Sequence, residues 1–233
     1  MKLEIGAAPE GAPKSLVERI SELRGRIGEV ALRAGRAPEA ITLVGVTKHQ
    51  PREIVLCALD AGLTDLAENY VQEARAKYAA LPGARKHFIG HVQTNKAKAI
   101  VESFDVVQSI DRFDAGRAIA KAARALGKPV RTLLQVNISP AERFGVAPAD
   151  APALAARLRD DEGLTVDGVM ALGPNTTDRG EITRAFAIAA ETLRAVGGET
   201  LSLGMSGDWE EAVACGSTML RIGTAIFGER VYE

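Results

Sequence analysis

Short apolar runs alternate along this chain with longer stretches whose apolar residues return every three or four positions, and that alternation restricts the fold more than any other feature. The runs fall at 43–48, 64–67, 87–90, 105–108, 130–136, 165–170, 200–204 and 218–222, and they read as parallel strands buried on both faces. Between them the spacing predicts helices from Pro51 to Gly62, over 70–81, from about Thr94, and over 111–126, 150–159, 178–196 and 208–214. The punctuation agrees, since Pro82-Gly83, Lys128-Pro129 and Gly197-Gly198 each follow a helical stretch. One more helix precedes the first strand. Ser15 and Glu18 form a capping box there, and Leu16, Ile20, Leu23, Ile27, Val30 and Ala34 recur at helical spacing up to Gly35.

Strand–helix repeats of this number and spacing are those of an α/β fold, a single TIM-type (β/α)8 barrel. The competing fold is an open doubly wound sheet. Its glycine-rich turn after the first strand is absent, because Thr47-Lys48-His49-Gln50-Pro51 contains no glycine. Too little chain follows the last strand for a full eighth helix, so the helix before the first strand is expected to fill that gap. At 233 residues and 46% hydrophobic the chain has material for one filled core, and no shift in composition marks a second domain. The organisation expected is a flexible tail over 1–14 and a barrel over 15–233.

In a barrel the carboxyl ends of all strands meet on one rim, which brings together Lys48, Asn69, His91, Ser109, Asn137, Leu172, Ser206 and Gly223-Thr224. Loops after strands seven and eight often hold phosphate. Here they read Gly204-Met205-Ser206-Gly207-Asp208 and Arg221-Ile222-Gly223-Thr224-Ala225, offering backbone N–H groups and two hydroxyls. Asp208 with Glu211 also reads as a capping box, a purely structural use of that loop. Lys48, at the end of Leu43-Val44-Gly45-Val46-Thr47, presents an amine opposite these loops. An amine that loses its proton condenses with a carbonyl to a Schiff base. Two readings compete: a pyridoxal phosphate site, or a cofactor-free class I aldolase acting on a phosphorylated sugar. Arg221, on the last strand, is out of phase with the Gly223 loop and so faces the barrel mouth. Beside a pyridine nitrogen, a guanidinium can only donate and would keep that nitrogen unprotonated.

Six stretches carry a family resemblance: Val46-Thr47-Lys48, Glu68-Asn69-Tyr70-Val71-Gln72-Glu73, His87-Phe88-Ile89-Gly90, Gln135-Val136-Asn137-Ile138-Ser139, Leu203-Gly204-Met205-Ser206, and the run from Gly216 to Gly228. In this order they resemble the pyridoxal phosphate homeostasis proteins, a family similar to the barrel domain of alanine racemase without its second domain. The resemblance implies that Lys48 carries pyridoxal 5′-phosphate (PLP) as an internal aldimine, that Arg221 faces the pyridine nitrogen, that Ser206, Gly223 and Thr224 hold the phosphate, and that Asn69 lies near the cofactor. It further implies a vitamin B6 carrier that buffers or delivers PLP, affecting amino-acid and keto-acid balance, with apo-enzymes as transient partners. An amino-acid racemase is the alternative. Alanine racemase takes its second acid/base group, a tyrosine, across an interface that includes the second domain; of the tyrosines here, Tyr70 and Tyr78 lie in or beside one helix and Tyr232 at the terminus, and the candidates for that role are His91 and Tyr70. The chain departs from the family in having Gly207-Asp208 after the Met-Ser, Ala67 before Glu68, and Arg143 where a lysine is common.

Charge and sulfur narrow the remaining classes. A net charge of -1 with 4% aromatic residues leaves no footprint for nucleic acid. Cys57 and Cys215 sit in helix-like apolar settings and read as buried free thiols in a reducing compartment. No apolar stretch reaches membrane-spanning length and residues 1–13 lack the apolar core of a signal peptide, so a cytoplasmic monomer is expected, with no membrane partner. Met170, Met205 and Met219 read as barrel packing and His87 as structural. Trp209 either shields the phosphate loop or lies on the surface.

Overall fold

The computed structural model describes residues 14–228 apart from 80, 82, 140 and 142. The tail expected before Lys14, Tyr232, and Pro82 of the predicted stop lie outside the described residues. Eight strands form one closed barrel: β1 (Thr42–Val46), β2 (Asp65–Glu68), β3 (Arg85–Phe88), β4 (Val106–Ile110), β5 (Arg131–Val136), β6 (Val166–Ala171), β7 (Thr200–Ser202) and β8 (Met219–Ile222). Every pairing is parallel, and the barrel closes where Leu43 and Val44 of β1 lie opposite Leu220 and Arg221 of β8.

The helices follow the predicted alternation: α1 (Leu16–Arg33), α2 (Arg52–Asp60), α3 (Val71–Tyr78), α4 (Ala97–Ser103), α5 (Phe113–Leu126), α6 (Ala151–Glu162), α7 (Arg179–Val196), α8 (Trp209–Ala214) and the single turn α9 (Thr224–Phe227). Both halves of the Ser15–Glu18 capping box are made, and α1 buries Ile20, Leu23, Ile27, Val30 and Ala31. Ala34 of the expected face is instead the exposed C-cap, because the helix ends one residue earlier. α1 packs on α8 and α9, and Arg19 Nε donates to the Ile226 carbonyl at 2.6 Å. It therefore covers the barrel wall that one turn of α9 leaves open, as the sequence predicts.

Alternation along the strands separates two interiors. Leu43, Leu66, Leu134, Leu220 and Ile222 face the helix layer and join the main apolar core. Inside the barrel Val44, Val46, Ala67 and Met219 pack together. Beside them a buried polar chain crosses from β2 to β8. Asp65 Oδ1 bonds His87 Nε2 at 2.9 Å, His87 Nδ1 meets Gln108 Nε2 at 2.9 Å, and Gln108 Oε1 accepts from Ser202 Oγ at 2.7 Å. Arg221 Nη1 then donates to Ser202 Oγ at 2.6 Å. His87 is structural, as expected.

Several expectations are corrected. Cys57 is exposed and Cys215 partly so, both free, because Cys57 falls on the outer face of α2 while Val55 and Ala58 take the inner one. Asp208 is the N-cap of α8 but makes no side-chain cap bond. Its carboxylate turns back to accept from the Met205 N–H at 2.6 Å, and Glu211 pairs with Arg179 instead. Trp209 is buried with the Arg26 guanidinium 5.2 Å from its ring centroid, so it does not lie on the surface. Among the described residues no helix is long and apolar enough to cross a membrane.

Candidate functional site

The carboxyl rim encloses a cavity of about 370 Å³ lined by Val46, Lys48, Asn69, Ile89, Met170, Leu172, Met205, Ser206, Gly207, Arg221, Gly223 and Thr224. Lys48, Asn69, Ser206, Arg221, Gly223 and Thr224, which the sequence singles out, thus come to one place from β1, β2, β7 and β8. Leu172 of the rim set joins them. His91, Ser109 and Asn137 do not: Ser109 Oγ donates to the Gly90 carbonyl, Asn137 ties down its own loop through Ser139 and Ala141, and His91 stacks on Phe144 with centroids 4.2 Å apart.

Lys48 stands two residues past the end of β1, in a turn closed by the Gln50 N–H donating to the Thr47 carbonyl at 3.0 Å. Beside it, Asn69 is carried by the end of β2. A Cβ on Gly90 would lie 2.0 Å from the Asn69 carbonyl oxygen, so only glycine lets the loop after β3 approach this closely. Asn69 Oδ1 is buried without a hydrogen-bond partner among the described residues, an acceptor left open at the cavity.

Arg221 is buried and planar in its anchoring. Nη1 donates to the Ser202 carbonyl at 2.7 Å and Nη2 to the Ala171 carbonyl at 2.8 Å, which fixes the guanidinium across the barrel mouth. Burial pushes its pKa down to about 10, against the opposing pull of Asp208, so it stays cationic at neutral pH. Asp208 itself is raised from the usual carboxylate value by burial.

The two anion-type loops meet beyond Arg221. Ser206 Oγ accepts from the Ala225 N–H at 3.2 Å, which links the loop after β7 to the first turn of α9 and leaves the hydroxyl proton for a ligand. Gly223 has a φ of -107° and a ψ of -83° as the N-cap of α9. A Cβ there would meet no protein atom within 3.7 Å. Packing alone does not demand this glycine, and its missing side chain leaves the space beside Val46 open to the cavity. The cavity gathers groups suited to a flat, phosphorylated ring with an aldehyde: an amine, hydroxyl and backbone donors, a guanidinium, and the apolar Val46, Ile89 and Met170.

Sequence reasoning missed part of this lining. Met205 is 40% exposed at the cavity rather than packed in the barrel, because the Asp208–Met205 bond holds its loop outward. Met170 is buried yet also lines the cavity, while Met219 packs inside with its sulfur 3.2 Å from Gln108 Nε2. Beneath Lys48, Glu68, Lys77 and Tyr78 form a buried group on Thr47; Glu68 is raised from its ordinary value by burial, with bonds from Lys77 and Thr47 opposing. Arg143 is exposed and donates to the Gly173 carbonyl at 3.0 Å, outside the cavity lining. Among the described residues no cluster of His, Cys, Asp and Glu could hold a metal.

Comparison with known proteins identifies the family. The family described as "Alanine racemase, N-terminal domain" matches residues 20–231. The pyridoxal phosphate homeostasis protein of Pseudomonas aeruginosa is 41% identical over 223 residues, covering 94% of this chain and 97% of that one. Its Escherichia coli K12 counterpart is 37% identical over 232 residues, covering 94% and 98%. The structure of PipY from Synechococcus elongatus with PLP bound superposes with a TM-score of 0.79 at 32% identity, covering 92% of this chain and all of that one.

Proposed function

The chain belongs to the alanine racemase N-terminal-domain family and, within it, to the pyridoxal phosphate homeostasis proteins, and from that premise we propose that it binds PLP through Lys48 and holds or delivers the cofactor. The observation that carries this reading is the convergence of Lys48, Asn69, Arg221 and the Ser206 and Gly223-Thr224 loops on one cavity. PLP supplies an aldehyde that accepts an amine and a phosphate that accepts hydrogen bonds. Lys48 contributes the amine, forming a carbon–nitrogen double bond with loss of one water. Ser206, Thr224 and the backbone at Gly223 take the phosphate. Arg221, held by two carbonyls and still cationic, donates toward the ring nitrogen and opposes its protonation.

That last role argues for holding over turnover. A ring kept unprotonated is a weak electron sink, and racemisation needs a proton-transfer group on each face of the substrate carbon. Among the described lining residues Lys48 is the one amine, and no carboxylate, imidazole or phenol is among them; Tyr70 and His91 lie outside the lining. Borohydride reduction of the PLP-loaded protein, followed by peptide mapping, tests the attachment: label on Lys48 is expected, and label on another lysine, or none, overturns it. Incubation with L-amino acids in deuterated water tests turnover. Deuterium entering Cα at enzymatic rates, and abolished by Lys48→Ala, would replace the carrier reading with a racemase.

A further inference from the structure

His49, next to Lys48, has a φ of 63° and is alone among the described non-glycine residues in a positive φ. With the Gln50-to-Thr47 hydrogen bond, this makes a type II turn centred on Lys48 and His49, whose third position ordinarily takes glycine. A residue with a Cβ persists there only where surrounding contacts hold it.

Helix α3 supplies those contacts. Glu73 Oε1 accepts from the His49 N–H at 2.5 Å, and Lys77 Nζ donates to the Thr47 carbonyl at 2.5 Å. These are the two peptide groups on either side of the Lys48 Cα. Glu73 and Lys77 are themselves joined at 2.8 Å across one helical turn. Glu68 anchors the pair from β2: its Oε1 accepts from Lys77 Nζ at 2.7 Å and from Thr47 Oγ1 at 2.7 Å, with the Tyr78 hydroxyl 2.6 Å from the same Thr47 oxygen. The Lys77 side chain is 6% exposed and that of Glu68 is fully buried. Ion pairs so deeply buried return little stability for the solvation they lose, so their gain lies in fixed geometry.

We propose that Glu73 and Lys77 are positioning residues for Lys48: by gripping both peptide groups that flank it, they fix the direction in which its amine enters the cavity and so set how long PLP is retained. This rests on the attachment at Lys48 proposed above and adds to it the residues that govern release. A clamp of this kind also explains why a left-handed histidine is tolerated in the turn. Its N–H is turned toward α3, where Glu73 meets it.

The test compares wild type with Glu73→Ala and Glu73→Gln, each loaded with PLP. Part of each sample is reduced with borohydride and its label mapped; the rest is followed by cofactor absorbance as PLP is lost on dilution. Ligand-free melting temperatures are recorded alongside. All three proteins are expected to carry label on Lys48. Glu73→Ala should release PLP about tenfold faster, the loss of one charge-assisted hydrogen bond. Glu73→Gln keeps an oxygen for the His49 N–H and should stay within about threefold of wild type. Lys77→Met strands Glu68 and risks misfolding, so the double variant Glu68→Gln/Lys77→Met takes its place and should release as fast as Glu73→Ala. A merely structural tie would move the melting temperature and leave release unchanged. Wild-type release from Glu73→Ala and from the double variant, with label still on Lys48, would overturn the clamp and leave the attachment standing. Glu73→Gln as fast as Glu73→Ala would also overturn it. Wild-type protein without label on Lys48 would overturn the attachment and the clamp together.

Discussion

Ser206 and Thr224 illustrate how little chemistry and how much affinity a single hydroxyl can hold. Both line the cavity where the two loops meet. A hydrogen bond to a charged phosphate is worth about 1.5–3 kcal/mol. Ser206→Ala/Thr224→Ala should therefore weaken PLP retention by at least about tenfold, measured by equilibrium dialysis, while borohydride still labels Lys48. His87 is a second residue whose chemistry is decided locally. Gln108 Nε2 donates to its Nδ1, so the ring is neutral with its proton on Nε2 toward Asp65. Burial lowers its pKa below 6.5, against the pull of Asp65. The unfolded chain thus takes up the proton first, and the stability His87 contributes is present above pH 6.5 and lost as the pH falls toward its folded value. The slope approaches about 1.4 kcal/mol per pH unit. Urea denaturation at pH 7.5 and 5.5 should show wild type losing more stability than His87→Gln.

At the scale of elements, α1 is the one whose formation is most local and whose place is most global. Its capping box satisfies two N–H groups that the first turn would otherwise expose, with Glu18 held below the usual carboxylate range by its bonds from Ser15. Ser15→Ala should cost about 1 kcal/mol in denaturant unfolding without altering cofactor retention. α8 shows the opposite case. Its sequence carries the same capping pattern at Asp208 and Glu211, yet the carboxylate serves the Met205 loop. The difference is burial: Ser15 stands in solvent with nothing else to bind, whereas Asp208 lies under a loop whose backbone N–H lacks another acceptor.

For the whole molecule, closure is the organising event. The last repeat is reduced to one turn of helix, and α1, from the other end of the chain, covers β8 through α8 and α9. Leu23 of α1 is 4% exposed. Leu23→Ala should cost about 2–5 kcal/mol and lower the melting temperature by roughly 5–15 °C, read by calorimetry. The barrel interior is closed by a different means, the hydrogen-bonded chain from Asp65 to Arg221, so the guanidinium at the cavity is held by the same polar layer that fills the barrel.

The alternation of strand and helix, the capped first helix, the barrel and the gathering of Lys48, Asn69, Ser206, Arg221, Gly223 and Thr224 at one rim were legible in the sequence. Each depends on neighbours close in the chain, or on the rule that strand ends share one rim. What the sequence left unread depends on contacts between elements. The outward face of Cys57, the burial of Trp209, the use of Asp208 by Met205, the exposure of Met205 and the grip of Glu73 and Lys77 on Thr47 and His49 are decided only when the barrel closes. Periodicity states which residues of a helix share a face. Which partner that face meets, and whether a carboxylate caps its own helix or a neighbouring loop, depends on distances that exist only in the folded chain, and there the tertiary structure alone decided.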